Sequence, residues 1–132
     1  AGETLDRLLR ASTYVRMQMS DFLDEFSLTE ARFSVLSTLS AAAERGLSQS
    51  ELADQLIQSE SNVSTLIERM QQDGLVHRLQ SDSDRRKRVL RLSSEGQRLF
   101  DRVELARQIW ASKLLRSFPM DDASTLGRLL AR

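Results

Sequence analysis

The residues best placed to do chemistry in this chain are short polar side chains and a run of cations. Ser59, Ser61, Asn62, Ser64 and Thr65 fall within seven positions. Such short side chains let a backbone come close to another surface. An asparagine adds a paired donor and acceptor, which fits an adenine edge in the DNA major groove. Further on, residues 85–91 read Arg-Arg-Lys-Arg-Val-Leu-Arg, five cations in seven positions with no acid. Cations of this density suit phosphates, and an arginine in a narrow minor groove senses its enhanced negative potential. Taken alone, the polar helix residues read equally as a solvated helix start, and a charge run is usually just a solvated face.

Enzyme chemistry has little support. His77 is the sole histidine, and no nucleophile motif accompanies it. Asp82 and Asp84 mimic a metal pair, but the arginines beside them favour salt bridging. There is no Gly-rich phosphate loop, no His/Cys ligand cluster and no nucleophile elbow. No catalytic residue, metal or cofactor is expected. The absence of cysteine removes disulfides, thiolate sites and thiol redox switching, and it fits a cytoplasmic setting. No charged-then-apolar leader opens the chain at Ala1-Gly2, and no apolar run reaches the ~18 residues that span a bilayer. With 132 residues, 40% hydrophobic and 29% charged, the composition reads as one soluble globular domain. Nineteen basic and nineteen acidic residues balance. Nucleic-acid binding must therefore rest on where the charges sit.

The elements that position these residues read mostly as helices, since one proline and five glycines leave little punctuation. From Leu5 to Phe26, apolar residues at 5, 8, 9, 15, 19, 22, 23 and 26, with Ser12 between, make an amphipathic stripe. Thr29 caps a second helix through Phe33, Leu36, Leu39 and the alanines at 41–43, ended by Arg45-Gly46. Ser48 to Glu51 fits a capping box and opens a short helix with Leu52, Ala53 and Leu56 facing in. Ile57-Gln58 is a turn. Ser59 caps the next helix, which carries Val63, Leu66, Ile67 and Met70 inward and ends at Asp73-Gly74. Leu75 to Gln80 and Lys87 to Leu92 are β-compatible runs, joined by a polar tip as a hairpin. Ser93 or Ser94 caps a long helix through Leu99, Val103, Ala106, Trp110 and Leu114, with Pro119 stopping it. Asp121 to Ala131 forms a last helix with Leu126, Leu129 and Leu130 apolar.

Two short helices across a tight turn make a helix-turn-helix. The N-terminal residues of the second would meet base edges, and its free N–H groups would favour a phosphate. Followed by a basic hairpin, the segment Ser48 to Leu92 reads as a winged helix-turn-helix that binds double-stranded DNA. Seven basic and seven acidic residues cancel across it, so its positive charge is concentrated in the wing. The fold class is mainly α with a small β-hairpin wing (α+β).

Five stretches then carry a resemblance. They are Leu28-Thr29 leading into Phe33-Ser34-Val35-Leu36; Leu47-Ser48-Gln49-Ser50-Glu51-Leu52-Ala53; Asp73-Gly74-Leu75-Val76-His77-Arg78; Asp82-Ser83-Asp84-Arg85-Arg86; and Leu92-Ser93-Ser94-Glu95-Gly96. In this order and spacing the chain resembles the MarR family of bacterial and archaeal transcriptional regulators. The resemblance implies a homodimeric regulator, in most cases a repressor, on a pseudo-palindromic operator. Residues 28–92 would form the DNA-binding part, and residues 3–26 and 93–131 the dimerisation helices, within a single domain. It further implies that Ser61, Asn62, Ser64 and Thr65 face the major groove, that Arg69 reaches a phosphate, and that Ser48 and Gln49 hold the DNA backbone. Asp84 and Arg86 fit the family's Asp-x-Arg pattern. Arg86 would enter the minor groove, with Asp84 fixing its guanidinium. Arg85, Lys87 and Arg88 would be phosphate contacts or solvated cations. A small aromatic or anionic effector between the terminal helices and the winged part would release DNA, with Tyr14, Met17, Phe33 and Leu36 as the candidate pocket. The chain departs from the family pattern at Glu60, at Thr65 in place of an arginine, and at Ser93 in place of a threonine. A winged-helix protein-interaction module without specific DNA binding is the alternative, favoured by Glu60 and the zero net charge.

Overall fold

A computed structural model describes residues 1–81, 83–116 and 119–132. Its elements run α1 (Gly2–Asp24), α2 (Glu30–Ala42), a 3-10 turn (Ala43–Arg45), α3 (Gln49–Leu56), α4 (Glu60–Gln72), β1 (Val76–Gln80), β2 (Arg88–Leu92), α5 (Ser94–Leu114) and α6 (Met120–Leu130). The order is the expected one. No helix is long and apolar enough to cross a membrane, among the described residues.

Side-chain oxygens begin four of these helices. Thr29 accepts from the Arg32 N–H, Ser48 from Glu51, Ser59 from Asn62 and Ser93 from Gly96. Each satisfies a donor that a helix end leaves without a partner. At α3 the box is reciprocal, since the Glu51 carboxylate accepts the Ser48 N–H.

The core lies where α2, α3, α4, the base of the hairpin and the first half of α5 meet. Val35, Leu36, Leu39, Leu52, Val63, Ile67, Met70, Val76, Leu90 and Val103 are all buried there. Phe22 and Leu23 carry the end of α1 into it, and Phe22 stacks on Trp110 of α5 at 5.3 Å between ring centroids.

β1 and β2 pair antiparallel, with Val76 opposite Leu92, Arg78 opposite Leu90 and Gln80 opposite Arg88. Both strands start one residue later than expected. The Leu75 N–H is taken by the Met70 carbonyl as α4 ends, and the Lys87 N–H by Asp84 within the tip. A third pairing joins the hairpin. Leu47 bridges Leu90 through both backbone bonds, which ties the entry to α3 onto β2. Gly46 makes this possible: a Cβ there would sit 2.8 Å from the Leu90 carbonyl oxygen, at φ +68°.

Three expectations shift. α2 stops at Ala42, and Ala43 opens the 3-10 turn at positive φ. α5 ends at Leu114, ahead of Pro119, which instead occupies the N-cap position of α6. Proline has no N–H to lose there, and its fixed φ suits a helix entry. The α1 stripe is buried only at its C-terminal end: Leu5, Leu8, Leu9 and Val15 are exposed.

Candidate nucleic-acid interface

α3 and α4 meet at a left-handed residue. Ile57 adopts φ 55° and ψ 47°, and the Gln58 N–H closes back onto the Ala53 carbonyl. This sharp turn sends α4 across α3 as a helix-turn-helix requires.

α4 buries Val63, Ile67 and Met70. Its opposite face exposes Ser61, Asn62, Ser64, Thr65 and Arg69. Helical periodicity thus gathers the expected groove-facing residues onto one surface. Two are partly engaged at home. Thr65 donates its hydroxyl to the Ser61 carbonyl at 3.3 Å, and the Asn62 amide nitrogen lies 3.5 Å from Gln58 Oε1. Ser59 is spent on the cap. Glu60 is exposed in the first turn of α4.

At α3, Ser48 and Gln49 are half-buried. Ser48 serves the cap, and Gln49 accepts a 2.9 Å bond from Arg78 of β1. The Ser48 backbone N–H, followed by the Ser48 side chain, holds the Glu51 carboxyl below the usual carboxylate range, aided by the charges of Arg45 and Lys87.

The wing tip exposes Arg85, Arg86, Lys87 and Arg88, and Asp84 is half-buried. Asp84 bonds locally. Its carboxylate accepts the Arg86 backbone N–H at 3.0 Å, and its carbonyl accepts the Lys87 N–H. It therefore shapes the turn, since an aspartate readily closes this short local ring. Asp82, the other half of the conjectured metal pair, lies outside the described residues. Among the described residues no three His, Cys, Asp or Glu side chains gather as metal ligands. His77 is exposed on β1 opposite Arg91.

The four conjectured effector residues differ in exposure. Tyr14 and Met17 are exposed on α1, whereas Phe33 and Leu36 are buried. Phe33 is already covered: it stacks on Phe100, and Arg107 lies over its ring at 5.7 Å. A groove of ≈ 670 Å³ opens elsewhere, between Arg16 of α1, Glu30, Ala31 and Ser34 of α2, and Asn62, Leu66 and Arg69 of α4. Its signal in the sequence was weak, since Arg16 and Ser34 carry no distinctive spacing.

Residues 28–87 match the model of the MarR family. The regulator PrsX of Escherichia coli is 28% identical over 106 residues, which are 80% of this chain and 64% of PrsX. The chain thus spans somewhat less than two thirds of that relative. A MarR family protein from Bacillus stearothermophilus is 26% identical, with a TM-score of 0.79 over 98% of this chain and 89% of that one. A mutant of Escherichia coli MarR complexed with operator DNA shares the fold, at 23% identity, a TM-score of 0.82, and coverage of 97% and 91%. With the helix order, the capped α3 and α4, and the hairpin after them, these matches agree on one likeness: across residues 28–87 the chain is similar to the MarR family.

Proposed function

We propose that this chain binds double-stranded DNA as a homodimeric transcriptional regulator, acting as a repressor in the cytoplasm. The observation that carries the proposal is the pairing of two surfaces. The exposed polar face of α4 stands beside a wing whose tip presents four consecutive cations, Arg85 to Arg88. α4 would lie in the major groove, with Ser61, Asn62, Ser64 and Thr65 toward base edges. Arg86 would reach the minor groove, and Arg69, Arg85, Lys87 and Arg88 would neutralise phosphates. Residues 28–92 are the DNA-binding part of this proposal, and 3–26 and 93–131 its pairing part.

A second copy is the proposed cover for the apolar residues left open on the terminal helices. Leu5, Leu8, Leu9 and Val15 on α1, Leu105 and Ile109 on α5, and Leu126, Leu129 and Leu130 on α6 are exposed. So many exposed apolar side chains on the terminal helices suit an interaction site. A two-fold pair would read half-sites about one helical turn apart. A small amphiphilic anion would shift that pair toward a spacing that no longer fits. The groove beside Arg16 and Arg69 is its proposed site, since two cations and the apolar Ala31, Leu56 and Leu66 line it.

Binding to the DNA upstream of its own gene, measured across a salt series, tests the proposal. Affinity should fall steeply with added salt and drop further in Arg86→Ala. A confirmed dimer that binds no DNA at low salt would leave the protein-interaction module, which Glu60 and the zero net charge favour.

A further inference from the structure

Four ion pairs hold arginines among the described residues. Arg7 pairs with Glu3, Arg32 with Asp73, Arg45 with Glu51 and Arg107 with Glu104. Arg78 is treated differently. It is exposed on β1, and its Nη2 donates to Gln49 Oε1 at 2.9 Å, across 29 positions of sequence. A carboxamide oxygen is neutral. The bond therefore aims the guanidinium without cancelling its charge, and it uses one of five N–H donors. The nearest acid in sequence to Gln49 is Glu51, which is already occupied by Ser48 and Arg45.

The strand register says what lies around it. Val76, Arg78 and Gln80 share one face of the hairpin with their partners Leu92, Leu90 and Arg88. That face is apolar at its base, where Val76 and Leu90 are buried. Toward the tip it becomes cationic through Arg78 and Arg88, one on each strand. A planar fork of donors held at the seam between wing and α3 suits a phosphate, which arginine binds in two-point fashion.

Resting on the DNA reading above, we propose that Arg78 is a further DNA-binding residue, which takes a backbone phosphate at the seam between wing and α3 and is aimed there by Gln49. One phosphate would then be gripped from both elements at once, which fixes the wing against the helix-turn-helix when DNA is bound.

The test is the slope of log affinity against log salt on one duplex, with thermal melting to establish that each variant is folded. Arg78→Gln should lower the slope by about one unit, and it should weaken operator and random duplex alike. Across a fourfold rise in salt, the affinity lost should shrink about fourfold relative to wild type. Gln49→Glu leaves Arg78 in place but sets a carboxylate against it, so the slope should fall likewise, and this variant serves if Arg78→Gln does not fold. A folded variant of either kind with an unchanged slope, while Arg86→Ala still weakens binding, overturns the role of Arg78 and leaves the DNA reading standing. Absence of binding by the wild-type dimer at low salt removes both together.

Discussion

Ile57 sits where its side chain is least suited. It is β-branched, left-handed at φ 55° and 89% exposed. A left-handed residue with a branched Cβ is strained by about 1–2 kcal/mol, and burial returns almost nothing here. Ile57→Asn should therefore raise the unfolding free energy by roughly 1 kcal/mol, read as a higher denaturant midpoint. Glu51 carries a pH signature. Its carboxyl is held low in the folded state, chiefly by the Ser48 N–H, so its contribution is full above the ordinary carboxylate range and is lost as pH falls through the lowered value. Compared at neutral and acid pH, the stability gap between wild type and Glu51→Gln should be widest at neutral pH and close in acid. Glu60 opposes a polyanion, so Glu60→Lys should tighten DNA binding and steepen its salt dependence. At this scale the sequence was highly legible in places. Ser48 and Ser59 announced themselves as caps, and Ser93 as one of two candidates, because a cap is a local arrangement of three or four residues. The Arg78–Gln49 bond was not legible, because its partners are distant in sequence and no spacing links them.

Elements meet most tightly at the start of α5. A Cβ on Gly96 would lie 2.2 Å from the Leu75 carbonyl oxygen, a backbone atom with no freedom to retreat. Gly96→Ala should cost about 3 kcal/mol or more and lower the thermal midpoint well beyond what Gly127→Ala does, since a Cβ on Gly127 meets nothing within 4 Å. Ser93 strengthens the same junction. Buried, it donates its hydroxyl to the Gly74 carbonyl at 2.6 Å and accepts the Gly96 N–H at 2.9 Å. Helix and strand periods were readable from hydrophobic spacing, and so the element order was expected correctly. The Leu47–Leu90 bridge and the seat of Gly96 on Leu75 were not, since both are long-range backbone contacts that leave no period. Pro119 was read as a stop for the helix before it, because a proline ends one helix and opens another with the same residue.

The whole molecule keeps its core in the winged part and leaves its terminal helices under-covered. Phe22, Trp110 and Val103 anchor them, but Leu126, Leu129 and Leu130 face outward. Replacing Leu126 and Leu129 together by lysine should shift the protein toward monomer in sedimentation and weaken operator binding, while thermal melting still shows a folded winged part. The amphipathic stripe of α1 could be read from spacing, but which surface covers it could not, because one chain does not contain it. Tyr14 and Met17 are exposed on the same helix. The junction of Ser93 and Gly96 then has a mechanical meaning. It clamps the end of α4 to the root of a 21-residue rod, α5, about 30 Å long. A clamp without slack makes that rod a lever: a tilt of about 5° at its far end displaces the root by about 3 Å. In a pair of such chains, small adjustments among the terminal helices would be delivered, magnified, as a change in the distance between the two α4 helices.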